Sequence, residues 1–393
     1  MKRNLFYIGV QLAVLAVAVL ACHHSHGLGF VLAMAGSVPL DRLVGQPPVL
    51  TFAANQQQVS QIDRTGLYDF LKLNLSFTAT NAGYSTQPTA VGSNGYEQVL
   101  NLIQNVTLSA TGNAAGATTD TLINTDFLTL AVFQYYYSNG NLPGTPFATF
   151  SNAAQNVSAV VKAFFIDPRS NKSTLTRLDA RLLSQLQLYV NWRDSTSYAA
   201  GGVAGTTTIT NGQVVLSVRE WQNVPQTIRP WLRISDRKQQ IVSQQNALQV
   251  QGVPIGNVIR RELIQGIVPA VTGYNYGWSS AAAFASTGQV QGPMFQLLIN
   301  NSTKVLNESF ADLLADNPQL LNITGNAWGT LNGAIPGWYI YEPARQKLVS
   351  QSLPMWGINR ADNYVDVAAP GSFGSYLKIT DQEIVGATAA TLA

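Results

Sequence analysis

The feature that most constrains this chain is a strict alternation of apolar and polar side chains. In Leu71-Lys72-Leu73-Asn74-Leu75-Ser76-Phe77 every odd position is apolar and every even one polar. Period two places those side chains on opposite faces of a strand, one toward a core and one toward water. Gln185 to Trp192 repeats the pattern, and Val157, Ala159, Val161, Ala163 and Phe165 form a third apolar row. Half-apolar strands of this kind bury their greasy faces against one another as sandwiches. Thr206 to Thr210, then Asn211-Gly212, then Gln213 to Val218 predicts a hairpin, because Asn-Gly readily takes the positive φ angles of a tight turn.

Helices are few. Phe127, Leu130 and Ala131 recur at helical spacing after the capping candidates Asn124-Thr125. Phe310, Leu313 and Leu314 do so after Asn307, and Asn317-Pro318 is expected to stop that helix. Both read as short insertions between strands.

At 393 residues the chain is too long for one core. Arg219 to Trp231, with Pro225 and Pro230, reads as a linker between two strand-rich halves. The expected fold is all-β: an apolar N-terminal segment over 1–44, then two consecutive eight-stranded jelly-roll sandwiches, 45–222 and 223–393. Ser195 to Gly205 and Trp278 to Gly292, rich in Gly, Ala and Ser, read as surface loops.

Charged residues make up only 11% of the chain, well below the usual share, while 46% is hydrophobic. Asn and Gln together outnumber all the charged residues, so the surface is neutral and polar. A net charge of +3 is too dilute for a nucleic-acid footprint. Between Arg3 and Asp41 no charged side chain appears, and Leu5 to Ala21 is almost unbroken apolar sequence. This segment fits a membrane anchor, a cleaved signal peptide ending before Cys22, or a later start at Met34, and the sequence leaves all three open.

His23, His24 and His26 are the only histidines. They lack the partners of a four-ligand metal site and read as a polar break. A body without histidine cannot build a Ser-His-Asp or Cys-His arrangement, so Ser279 in Gly277-Trp278-Ser279-Ser280-Ala281 has no base. The single Cys22 excludes an internal disulfide, and no Gly-rich phosphate motif follows a strand.

Asp362 with Asp366, and Asp381 with Glu383, stand at even spacing on a strand face, as a glycosidase pair could. Nothing around them marks an apolar pocket, so they read as solvated rim residues. Arg229, Arg233, Arg237 and Lys238, and separately Arg260-Arg261, are the basic clusters. Asp236 and Glu262 among them favour salt bridges or subunit contacts over phosphate binding, and only Trp231 could act as a stacking platform. No catalytic, metal-ligating or cofactor-binding residue is assigned, and no cofactor is expected.

Several blocks carry a resemblance. Gly337-Trp338-Tyr339-Ile340-Tyr341-Glu342-Pro343, then Ser350 to Pro354, Asn363 to Val367 and Pro370 to Ser375 resemble the closing strands of double jelly-roll major capsid proteins. Those proteins build the shells of tailless, membrane-containing icosahedral viruses, the tectivirus-like and corticovirus-like phages. The first half is similar in order too: Gly66 to Thr78, Val99 to Ala110, the helix near Phe127, Phe164-Phe165-Ile166-Asp167-Pro168, and Leu186 to Trp192. The resemblance covers residues 45 to 390 and lies in order and spacing rather than in a diagnostic motif.

It implies a virion subunit without enzymatic activity that forms homotrimers, pseudo-hexagonal capsomers and a lattice around an internal membrane. The N-terminal segment would face that membrane. The further partners implied are minor capsid and penton proteins, with no sequence-specific nucleic acid. A surface poor in charge suits self-association, because little desolvation or like-charge repulsion opposes it. The alternatives are a secreted or lipid-anchored bacterial β-sandwich adhesin or glycan-binding protein, and a glycan-cleaving enzyme.

Overall fold

The computed structural model describes residues 39–88, 96–113, 116–140, 150, 152–199, 204–269, 277–279, 294–300, 302–320, 335, 337–343, 348–368 and 375–392. Cys22 and the three histidines lie outside them, as does most of the Trp278 to Gly292 stretch.

In the first half run β1 (Leu40–Thr51), β2 (Gln57–Gln61), β3 (Leu67–Ala82), β4 (Ile103–Asn113), β5 (Gly116–Thr125), β6 (Gln155–Phe164), β7 (Leu178–Asp179), β8 (Gln185–Trp192) and β9 (Thr206–Gln222). Strands β1-β9-β3-β6 make one sheet, with β7 on β3, and β5-β4-β8-β2 lie in another. Leaving aside the two-residue β7, the strands in chain order form the rows 1-8-3-6 and 2-7-4-5. The apolar rows of β3, β6, β8 and β9 meet in one core with Leu71, Leu73, Val161, Leu188 and Leu216.

The second half contains β10 (Trp231–Ile241), β11 (Gln245–Val250), β12 (Val258–Pro269), β13 (Gly277–Ser279), β14 (Met294–Ile299), β15 (Thr303–Ser309), β16 (Trp338–Tyr341), β17 (Leu353–Pro354), β18 (Ala361–Val367) and β19 (Ser375–Val385). Here β10-β19-β12 with β16 beside β12 face β11-β18-β14-β15. With the short β13 and β17 set aside, the rows are again 1-8-3-6 and 2-7-4-5. The same Greek-key path is traced twice, which makes each half a jelly roll. A second core holds Phe295, Leu297, Val365, Leu377 and Ile379.

The Asn211-Gly212 hairpin is overturned. Strand β9 runs straight through these residues, pairing Gln213 with Ser76 and Thr210 with Thr78 on the same neighbour β3. Asn211 has φ 54°, so the pair forms a bulge opposite Phe77 rather than a turn. The local turn preference loses to ladder pairing with the sixteen-residue β3 on both sides of it. At the bulge Gly212 accepts a hydrogen bond from the Phe52 amide at 2.7 Å, and a Cβ there would stand 2.5 Å from Phe52 Cβ. Gly212→Ala is therefore expected to cost about 1–3 kcal/mol by overpacking. Urea unfolding would measure it, and an unchanged midpoint would show that Phe52 simply yields.

Helix α1 spans Tyr96–Asn101, α2 Phe127–Tyr137, α3 Phe310–Leu320 and α4 Ala389–Leu392. Both longer helices, α2 and α3, follow the fifth strand of their jelly roll. Neither is capped as expected. Asp126 Oδ1 accepts from Thr129 N at 2.7 Å to start α2, while Asn124-Thr125 complete β5. Ser309 starts α3: its Oγ accepts from Asp312 N at 3.1 Å and donates to Asp312 Oδ2 at 2.7 Å, while Asn307 belongs to β15. The helix also continues through Asn317-Pro318 to Leu320, since a proline in the last turn forfeits a single bond.

Two loop readings also narrow. Arg219–Gln222 are strand, so the connection between the halves covers only 223–230. Ser195–Tyr198 form a 3-10 turn capped by Asp194, and Tyr198 is buried edge-on against Phe77 and Phe150 rather than exposed.

The halves are not beads on a string. Strand β5 pairs in parallel with β10 through Ile123 and Ile234, fusing one sheet from each half into a ten-stranded sheet. Helix α2 is apolar on every side and buries ten of its residues. A helix greasy all round has to be enclosed. Its core cluster includes Ile234, Leu263, Trp338 and Ile340 from the second half.

Candidate functional site

Because the first half covers the outer face of β10, β12 and β19, much of β12 and β19 is buried on both faces. In β19, Leu377 and Ile379 point into the second sandwich, while Lys378, Thr380 and Gln382 reach residues of the first half or of the seam. Alternation then no longer separates apolar from polar. It separates two interiors, and the polar side chains must be paired. Three buried networks result.

The first gathers two arginines on two carboxylates. Consecutive strand residues normally point to opposite faces. Pairing of β12 with β19 slips between Ile259 and Arg261, so Arg260 is an extra bulge residue and both guanidinium groups reach the same place. Arg260 Nε lies 2.5 Å from Asp167 Oδ2 and its Nη2 2.7 Å from Glu342 Oε1. Arg261 meets Asp167 at 3.1 Å and Glu342 at 2.9 Å, and donates to Tyr137 Oη and Gln382 Oε1. Burial alone would raise the Asp167 carboxyl, but Arg261 and Arg260 hold it down at about 2.

The second lies inside the second sandwich. Glu262 and Asp381 stand directly opposite each other in the ladder, a like-charge pairing that costs stability. Arg237 answers it, binding Asp381 at 2.6 and 2.8 Å, Glu262 at 3.2 Å and Asn363 of the facing sheet at 2.7 Å. One cation faces two carboxylates. Burial first, then the Asp381 charge, push Glu262 up to about 8 against the pull of Arg237.

The third centres on Lys378, whose side chain is fully buried. Its Nζ contacts Asp126 Oδ2, reaches Thr129 Oγ1 at 2.5 Å and stands 3.6 Å from Asp236 Oδ2. Burial works against both charges, yet Asp126 and Asp236 raise the Lys378 ammonium, and Lys378 in turn holds Asp126 low. Asp236 goes the other way, pushed up by burial and by Asp126.

The carboxylates read as a solvated rim are therefore buried and engaged. Glu383 pairs with Arg233 at 2.5 Å and accepts from Asn257; Asp362 pairs with Arg360 at 2.6 Å; Asp366 accepts the amides of Ala247 and Met294. The rim reading failed because it granted these faces water, whereas Asp381 and Glu383 share the inward face of β19 with Leu377 and Ile379, and Asp362 and Asp366 are buried under their own partners. Of the basic residues, Arg233, Arg237, Arg260 and Arg261 form the expected salt bridges, Lys238 is exposed, and Arg229 binds Thr227 Oγ1 and the Thr174 carbonyl. Trp231 opens β10 and packs at the edge of the first core. Lys378, Asp126, Asp167 and Glu342 escaped sequence reading, since each partner comes from a distant element. Only Lys378 carried a signal, a charge between the apolar Leu377 and Ile379 of a strand, since Asp126, Asp167 and Glu342 lie just beyond strand ends.

Among the described residues none of these pairs lines the cavities found, whereas glycoside hydrolysis needs its two acids open to a sugar. A cavity of about 70 Å³ near the connection is lined by Ala110, Leu122, Leu178, Leu183, Ile228 and Trp231. Its two acids are bound, Asp120 to Arg233 and Asp179 to Arg181. Among the described residues no cluster of His, Cys, Asp and Glu is placed to hold a metal, and no helix is long and apolar enough to cross a membrane.

What the outside offers is strand edges. At one edge of the first jelly roll, β1 exposes Leu40, Leu43 and Val49, and the neighbouring edge strand β2 exposes Val59. In the second jelly roll the edge strand β15 exposes Val305. Apolar side chains beside unpaired backbone groups are sites for docking another chain.

No protein-family model and no curated protein matches this sequence. Solved structures do. The major capsid protein of Sulfolobus turreted icosahedral virus superimposes with a TM-score of 0.62 at 13% identity, over 88% of this chain and 97% of that one. Major capsid protein P2 of bacteriophage PM2 gives 0.51 at 11% identity, over 88% and 98%. Protein VP54 of PBCV-1 gives 0.53 at 11%, over 88% and 94%. The chain has the double jelly-roll fold of viral major capsid proteins. The coverage of 88% of this chain spans both units, not one sandwich alone.

Proposed function

We propose that this double jelly roll is a major capsid protein of an icosahedral virus, located in the virion and working by assembly rather than by catalysis. The observation that carries the reading is the repeated strand plan, 1-8-3-6 and 2-7-4-5 in both halves, locked edge to edge into one body. Residues 45–222 and 223–393 are the two units, with the first strand reaching back to Leu40. Three such chains around an axis present six similar units, a near-hexagonal block that tiles a shell. The exposed apolar row on β1 and β2 and the low charge both suit contact with further copies. These features support a capsid subunit over an adhesin or a glycan-cleaving enzyme, neither of which calls for two rigidly fused copies of one sandwich.

The apolar segment ahead of β1 is the part that faces an internal membrane, with Leu40 to Val44 of the expected 1–44 segment taken up by β1, and minor capsid and penton proteins complete the vertices. Light scattering on the purified full chain is expected to give a trimer, and flotation with liposomes to show binding that a chain starting at residue 39 loses. A stable monomer would overturn the assembly reading. A trimer with unchanged flotation after truncation would overturn only the membrane role.

A further inference from the structure

We propose that the side chains of Lys378 and Asp126 condense to an amide bond within the folded chain, with Asp236 as the proton carrier, so that the two jelly rolls are covalently stapled. The two residues are 252 positions apart and belong to different jelly rolls. The inference stands whether or not the chain builds shells.

A lysine and a carboxylate do not condense in water, because hydration stabilises both ions and abundant water favours the reverse reaction. The seam works against both obstacles. The Lys378 side chain is fully buried, those of Asp126 and Asp236 are 17% and 10% exposed, and the Trp338 ring lies 5.8 Å from Nζ. Desolvation opposes both charges, but the attraction between them still keeps the Lys378 ammonium raised and the Asp126 carboxyl lowered, so the neutral pair has to be reached by proton transfer through Asp236. The fold also holds the amine against the carboxyl, replacing a bimolecular encounter by a positioned one.

Each oxygen has a place in the reaction. Asp126 Oδ1 accepts the Thr129 amide at the start of α2, at 2.7 Å. That donor can hold the charge developing on Oδ1 during attack and afterwards bind the new amide carbonyl. Oδ2, the oxygen touching Nζ, is the one to leave. Asp236 uses Oδ1 to accept the hydroxyls of Thr125 at 2.8 Å and Thr380 at 2.7 Å, which leaves Oδ2 turned to the amine. In the proposed reaction this carboxyl starts protonated, the state toward which burial and Asp126 push it.

The balance closes without a co-reactant. Asp236 passes its proton to Asp126 Oδ2 and takes one from the ammonium, leaving a neutral amine beside a neutral acid. The nitrogen lone pair forms the bond to Cγ. As the tetrahedral centre collapses, the Cγ–Oδ2 bond breaks, the oxygen takes a second proton through Asp236, and water departs. Ammonium and carboxylate become amide and water, and Asp236 ends protonated as it began.

Mass spectrometry of the purified full chain decides the matter. After denaturation and trypsin digestion, residues 73–162 and 361–393 are expected as one branched species, lighter by one water than the sum of those two segments, because trypsin does not cut after an acylated Lys378. Separate linear peptides from folded protein would overturn the proposal, as would a branch to Asp236 in place of Asp126. Asp236→Asn preserves the shape and both threonine contacts, and is expected to give separate linear peptides from a folded chain. A branched product in that variant would remove Asp236 from the mechanism. Lys378→Arg is expected to abolish the branch, and if it fails to fold the wild-type digest still decides.

Discussion

Replacing Arg261 by alanine is expected to destabilise the chain by about 3–5 kcal/mol, the range for breaking a buried ion pair from one side. Asp167 and Glu342 are nearly fully buried, and Arg260 alone would be left to neutralise both. Tyr137 and Gln382 would lose their charged donor as well. Those contacts join the end of α2 in the first half to β19 in the second, so the loss falls on the seam. A control sets the scale. Arg219 and Asp41 also form an ion pair at 2.6 Å, but their side chains are 44% and 30% exposed. Arg219→Ala is expected to cost only about 0–1 kcal/mol, because water and salt already screen that pair. Urea unfolding of both variants would compare them, and equal losses would mean that burial at the seam counts for nothing.

Stability is expected to fall as pH rises from about 5 to about 9, with Glu262 as a principal cause. Its carboxyl, at about 8 in the folded chain, lies above the ordinary value of 4.5, so folding favours the protonated form. That contribution is complete below the ordinary value and is lost as pH climbs through about 8. At roughly 1.4 kcal/mol per pH unit the swing is on the order of several kcal/mol. Asp167 works in a separate window: held at about 2, it contributes stability above the ordinary carboxylate range that is lost as the medium turns acidic. Glu262→Gln keeps a hydrogen-bonding group opposite Asp381 and Asn363 but cannot ionise. Its unfolding midpoint is expected to be nearly flat over the same alkaline span, and a slope as steep as wild type would place the titration elsewhere.

The parts legible in advance were those where water lies on one side. Strands β3, β6 and β8 alternate because one face is wet, and the sequence shows each of them. The helices near Phe127 and Phe310 were visible from their spacing, although their caps were not, since Asp126 and Ser309 also sit at the ends of strands. The Asn211-Gly212 error has the same origin at a smaller scale: a dipeptide states a local preference, and a long partner strand outvotes it.

Of the seam, only the arginine salt bridges were legible, not their burial or their partners. Arg260, Arg261, Glu262, Lys378, Asp381 and Glu383 look like surface residues in any reading that grants strands a solvent face. Arg260, Arg261 and Lys378 are interior because α2 and the segment after β6 cover the outer side of the second jelly roll, whereas Glu262 and Asp381 face into that jelly roll's own interior around Arg237. By itself the sequence determined an all-β chain of two sandwiches with a polar, weakly charged exterior, because polarity per residue is a local quantity. Only the tertiary structure decided that the sandwiches share a sheet, that a bulge turns two arginines the same way, and that a lysine meets an aspartate 252 residues away. Those depend on which surfaces meet, and the energy of a buried charge is set by its partners rather than by its neighbours in the chain.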